Sequence, residues 1–166
     1  MNRLIALLFS VLFVVCSCKQ NNVTDNHRIK DLPNFLSSNL SKSDSLVLKM
    51  TTNEKTFVMF FSPECEMCES EIKVLLERKN MCKDYRFIFI TQPILKSEMP
   101  YFLEEYDMTK IPNSIILYDN SLKFHTFFGV SAPPSLFVYD KSNSLVDSYR
   151  GATDMNNVLN KKYGKR

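Results

Sequence analysis

Glycine is scarce: only Gly129, Gly151 and Gly164 occur in 166 residues. Three isolated glycines cannot build a glycine-rich phosphate cradle, which excludes nucleotide and flavin sites of that kind, and no cofactor is implied. Tryptophan is absent. The only two histidines, His27 and His125, have no ligand spacing with each other or with a cysteine pair, so a zinc ribbon lacks its second ligand pair and no metal site is expected. The formal charge is only +3, with acids and bases mixed along the chain, and no basic stripe argues for nucleic acid. The closing Lys161-Lys162-Tyr163-Gly164-Lys165-Arg166 reads as a solvated terminus. A long membrane span is also missing. The apolar run Leu4 to Val15 gives a helix of roughly 18 Å, short of the ~30 Å hydrocarbon core.

That run follows Arg3 and precedes Val15-Cys16-Ser17-Cys18. A positive start and a short apolar stretch read as a signal peptide, and the last four residues resemble the lipobox of bacterial lipoproteins. The resemblance implies removal of residues 1–17, lipidation of Cys18 as the new N-terminus, and a cell-envelope location on a membrane anchor. Several acyl chains on one residue hold a protein stably on a membrane. Residues 18–42 then form a tether, rich in Asn, Ser, Lys and Asp. Near its end Leu32, Phe35, Leu36 and Leu40 have the spacing of one short amphipathic helix. Of five cysteines, one leaves with the signal and one carries lipid. Cys65, Cys68 and Cys82 remain in a domain over 43–166, which is no disulfide-stapled mini-protein.

In that domain Thr56 to Phe61 is a continuous β-branched and aromatic run, expected as a strand buried on both faces. Ser62-Pro63 interrupts it, and helix follows from Glu64 to about Lys79, with Met67, Ile72, Leu75 and Leu76 near one face. A strand over Arg86 to Thr91, a helix from Glu98 to about Met108 and a strand over Ser114 to Tyr118 come next. Ser135 to Asp140 and Leu145 to Tyr149 flank the turn Lys141-Ser142-Asn143-Ser144 as a hairpin, and a helix from about Thr153 to Lys162 closes the chain. Early alternation implies parallel crossovers and the late hairpin an antiparallel edge. The expected fold is α/β, a mixed sheet with helices on both faces. Periodicity alone does not set the strand order.

Cys65-Glu66-Met67-Cys68 falls where the buried strand gives way to helix. Two intervening residues on a first helical turn bring the sulfurs within disulfide reach. The free N–H groups and dipole of a helix N-terminus favour a thiolate at the first cysteine. The second, one turn in, is then positioned to attack a mixed disulfide. Attachment of c-type haem needs His after the second cysteine, and residue 69 is Glu. A purely structural disulfide is the bland alternative. Cys82 reads as a buried free thiol, and His125 as a strand or loop histidine.

Two segments resemble the thioredoxin-like fold and, within it, TlpA/ResA-like envelope thiol-disulfide oxidoreductases. Phe57 to Cys68 is similar to the strand leading into the family's active site, and Val130-Ser131-Ala132-Pro133-Pro134-Ser135 to its cis-proline loop. The resemblance implies Cys65 as attacking thiol and Cys68 as resolving thiol. It also implies a substrate-binding loop at Ala132, Pro133 and Pro134, with Pro134 as the cis-proline. There are departures. Glu64 stands where the family often has Trp. The buried acid of thioredoxins, six residues before the first cysteine, is replaced by Met59, so another group or water must handle the proton. Pro133 lacks the N–H that this position can offer a bound peptide. Glu64, Glu66, Glu69 and Glu71 crowd the dithiol and favour a reducing or intermediate poise, although water and salt screen exposed charges.

The expected function is reduction or exchange of disulfides in other envelope proteins, with electrons from a membrane redox donor. A non-catalytic module that binds a partner or a metal such as copper is the alternative. A redoxin-type peroxidase would need a lone peroxidatic cysteine preceded by Thr-x-x, which is absent.

Overall fold

The computed structural model describes residues 36–37, 54–95, 97–120 and 122–163; the expected signal peptide, Cys18 and most of the expected tether lie outside them. The elements are β1 (Leu36–Ser37), β2 (Lys55–Phe60), α1 (Glu66–Glu77), β3 (Tyr85–Thr91), α2 (Met99–Glu105), β4 (Ser114–Asp119), α3 (Phe124–Phe128), β5 (Ser135–Tyr139), β6 (Leu145–Arg150) and α4 (Met155–Asn160). They form one six-stranded sheet in the order β1-β4-β3-β2-β5-β6. β2, β3 and β4 are parallel, and β1, β5 and β6 join antiparallel.

The apolar run of β2 forms the centre of this sheet because both of its faces are covered. Phe57, Met59 and Phe61 pack with Ile72 and Leu75 of α1, Phe102 of α2, and Val158 and Leu159 of α4. Val58 and Phe60 turn to the opposite face, against Ile88, Ile90, Phe124 and Phe128. Each such side chain, removed from water, contributes on the order of 2 kcal/mol. The expected hairpin is present: Asp140 Oδ1 accepts from the N–H groups of Ser142 (2.8 Å) and Ser144 (3.0 Å), which closes the turn between β5 and β6.

Three local expectations need correction. Leu36, placed on an amphipathic helix by its spacing with Leu32, Phe35 and Leu40, instead forms an edge strand with Ser37, the two paired with Asp119 and Tyr118; an open sheet edge offers backbone partners that outweigh a short helical pattern. Met67 is 48% exposed, and the buried face of α1 carries Cys68, Glu71, Ile72 and Leu75 instead. Phe124–Phe128 is helix, so His125 is a helical residue and not a strand or loop one. The carboxylate of Asp119 starts α3 by accepting from the N–H groups of Lys123 (3.0 Å) and Phe124 (2.7 Å). Gly129 ends it at φ +61°, a left-handed position suited to glycine. Among the described residues no helix is long and apolar enough to cross a membrane.

Candidate active site

The chain leaves β2 through Phe61, whose N–H donates to Ile90 O at 2.9 Å, and turns over Ser62-Pro63-Glu64. Cys65 then caps α1. Its backbone is extended (φ −108°, ψ 103°), and its Sγ accepts from the N–H of Cys68 at 3.2 Å. A sulfur so placed receives a helix N–H directly, which stabilises negative charge on it. Cys65 is half-buried and Cys68 fully buried, both with free thiols. Burial pushes the Cys68 thiol far above the usual thiol range. The hydrogen bond with Cys65 pushes it further, as does negative charge on Cys65 and Glu71.

Glu71, one turn beyond Cys68 on the same buried face, is only 3% exposed. Its Oε1 accepts from the N–H of Thr153 at 2.7 Å, while Oε2 has no partner among the described residues. Burial raises the carboxyl to about 7, against the opposing effect of the Thr153 N–H. A cavity of about 300 Å³ adjoins it, lined by Met67, Ser70, Val74 and residues 152–155. Sequence reasoning placed Glu71 among the crowding surface acids and missed its burial. The available signal was its spacing: i+3 from Cys68 and one residue before Ile72.

The proline loop arrives from the other side. Phe60 of β2 pairs with Ser135 of β5, so the residue following β2 and the residue preceding β5 emerge together at one end of the sheet. The Pro133–Pro134 peptide bond is cis, as the resemblance implied. Pro134 is buried, and its carbonyl accepts from the N–H of Gly151 at 2.9 Å. Pro133 is half-buried and Ala132 exposed, with Ala132 O accepting from Ser135 Oγ at 2.8 Å. A second cavity of about 290 Å³ joins this loop to the dithiol turn, bounded by Ser62, Glu64, Gln92, His125 and residues 131–133. The structure thus brings Cys65, Cys68, Ala132, Pro133 and Pro134 to one end of the sheet.

The profile of the thioredoxin-like domain matches residues 43–162. The chain belongs to that family. No curated protein sequence matches the thioredoxin-like chain. Solved structures resemble its fold. A secreted disulfide oxidoreductase of Mycobacterium tuberculosis, homologous to DsbE of E. coli, aligns with a TM-score of 0.55 at 16% identity, over 66% of this chain and 80% of that one. The thioredoxin domain of a thiol-disulfide oxidoreductase from Bacteroides vulgatus aligns at 0.54 and 20% identity, over 71% and 86%. The exposed lipoprotein thioredoxin of Streptococcus pneumoniae aligns at 0.53 and 21%, over 66% and 83%.

Within the thioredoxin-like domain Cys82 lies apart from the dithiol, just beyond the far end of α1. It is fully buried, its Sγ donates to Arg78 O (3.6 Å) and Leu75 O (3.8 Å), and burial pushes its thiol up to about 11.

Proposed function

We propose that the protein is an envelope thiol-disulfide oxidoreductase that reduces or exchanges disulfides in other envelope proteins. The observation that carries this reading is the half-buried Cys65 capping α1 above a buried Cys68, beside a cis-proline loop. The Cys65 thiolate attacks one sulfur of a substrate disulfide, forms a mixed disulfide and expels the other sulfur as a thiolate, which takes up a proton. Cys68 then loses its proton and attacks Cys65 Sγ. The second substrate thiolate leaves, and a Cys65–Cys68 disulfide remains; two electrons have passed to the substrate. A membrane donor reduces that disulfide again.

Cys68 holds its proton tightly, so the second step needs an acceptor. Glu71 supports that role: its carboxyl titrates near 7 beside the buried thiol, with Oε2 unpartnered. It stands in for the carboxylate that Met59 lacks. Ala132, Pro133 and Pro134 form the loop against which the substrate segment lies.

Removal of residues 1–17, lipidation of Cys18, a tether over 18–42 and a domain over 43–166 complete the proposal. The likeness to a secreted enzyme and an exposed lipoprotein supports it. Mass spectrometry of the mature protein is expected to find acylated Cys18 at its N-terminus; an unprocessed chain would refute the anchor.

The deciding experiment is a redox titration of the protein beside a Cys65→Ser variant. A reversible two-electron couple between about −300 and −200 mV, lost in the variant, is expected. Absence of a couple would leave the non-catalytic binding module as the better reading.

A further inference from the structure

The cavity between the dithiol turn and the proline loop has a polar wall that the redox step does not use. His125 Nδ1 lies 3.1 Å from Val130 O, and its Nε2 lies 3.0 Å from Gln92 Nε2. A carbonyl oxygen only accepts and an amide nitrogen only donates, so with these atoms in contact Nδ1–H donates to Val130 O and Nε2 accepts from the Gln92 amide. The ring is also held edge-to-face against Phe60 at 5.0 Å. The histidine is therefore fully engaged, and its partner Gln92 is held with Oε1 free of any hydrogen bond among the described residues.

We infer that this cavity is a side-chain pocket for a lysine or arginine flanking the substrate's cysteine, with Gln92 and Glu64 as its specificity-determining residues. The inference rests on the oxidoreductase reading and extends it to the substrate class. Three features carry it. First, Pro133 has no N–H, so the loop offers a peptide less backbone pairing, and recognition must draw more on side chains. Second, the cavity touches Ser62 and Glu64 on the dithiol side and Ala132 and Pro133 on the loop side. A segment joined through sulfur to Cys65 and lying against that loop has its neighbouring residue over the opening. Third, the pocket offers acceptors to a cation: the Gln92 amide oxygen, the hydroxyl oxygens of Ser62 and Ser131, and the Glu64 carboxylate. Among the described residues no lysine or arginine lines it, Gln92 Oε1 has no hydrogen bond, and the exposed Glu64 is the one charged lining residue. Leu95, Phe61 and Pro133 give an apolar wall for the methylene stem of a long cation. The neighbouring exposed Glu66 adds the same sign of charge. An acidic side chain meets repulsion there, and an apolar one leaves the amide oxygen without a donor.

The test uses the full-length reduced protein and disulfide-linked pentapeptides Ala-X-Cys-X-Ala, with X as Lys, norleucine or Glu. Each rate is divided by that protein's own rate with hydroxyethyl disulfide, so general changes in thiol reactivity cancel. The lysine peptide is expected to react about fivefold faster than norleucine, and faster still than the glutamate peptide, with the preference shrinking as salt rises. Gln92→Leu and Glu64→Gln should each move the lysine preference toward unity, and Glu64, being exposed, can be replaced without disturbing the core. Equal normalised rates for the three peptides, or a lysine preference that survives in both variants, would overturn the pocket alone. No turnover of hydroxyethyl disulfide would overturn the oxidoreductase reading and the pocket with it.

Discussion

Helix α1 has a buried cysteine near each end, and the two have little else in common. Cys68 and Cys82 are both fully buried, and burial holds both thiols above their ordinary range. Cys68 lies one turn from a half-buried cysteine whose sulfur accepts its own backbone N–H, and it shares a face with a carboxyl that titrates near 7. Cys82 sits in the apolar core, and its hydrogen-bond partners among the described residues are carbonyl oxygens of the helix end. Burial by itself makes a thiol inert. A reachable sulfur and a proton acceptor make a buried thiol useful.

The sharpest way to break this comparison is to remove Cys65. Cys65→Ser is expected to abolish the reversible two-electron couple, although Cys68 and Cys82 remain; a couple persisting at the same potential would show Cys82 to be a redox partner. Next in size is Glu71→Gln, expected to slow resolution of the mixed disulfide by roughly 10- to 100-fold. In the wild-type protein that step should weaken as pH falls through about 7, where the carboxyl gains its proton. In the variant this limb should vanish, and stopped-flow release of the second substrate thiol reads it out.

Glu71 also makes a stability prediction whose sign follows from its raised value. Between about 4.5 and about 7 the folded carboxyl holds its proton while the unfolded one does not. Stability therefore falls as pH rises across this window, by up to about 3 kcal/mol. Denaturant melts at pH 4.5 and 8 should show that loss in the wild-type protein and a smaller one in Glu71→Gln. The smallest effect belongs to Cys82→Ala. It should cost about 1 kcal/mol of stability from lost packing and leave the potential of the dithiol unmoved; a shift beyond about 30 mV would couple the two ends of the helix.

Much of the fold was legible because it is written in short-range patterns. The apolar run of β2, the hairpin turn after Tyr139 and the start of α1 each depend on residues adjacent in sequence. The helix Phe124–Phe128 escaped notice because it spans little more than a turn and is held by burial of Phe124 and Phe128 and by the distant start given by Asp119. Met67 was assigned to the wrong face for a related reason. A helical period yields a stripe, but the stripe's exact centre is set by what packs against it, here α4 and the strands.

The sequence by itself determined the chemistry available to this protein: two cysteines on one helical turn at a strand's end, and a proline pair before a later strand. Those features act over a few residues, where covalent geometry and helix spacing leave few options. Only the tertiary structure decided how that chemistry is tuned. Glu71 becomes a buried acid because the backbone of Thr153, 82 residues further on, closes over it, and Gln92 meets His125 because the sheet order brings two distant connections to one end. Desolvation and hydrogen bonding depend on what surrounds a group, and that environment exists only after the chain has folded.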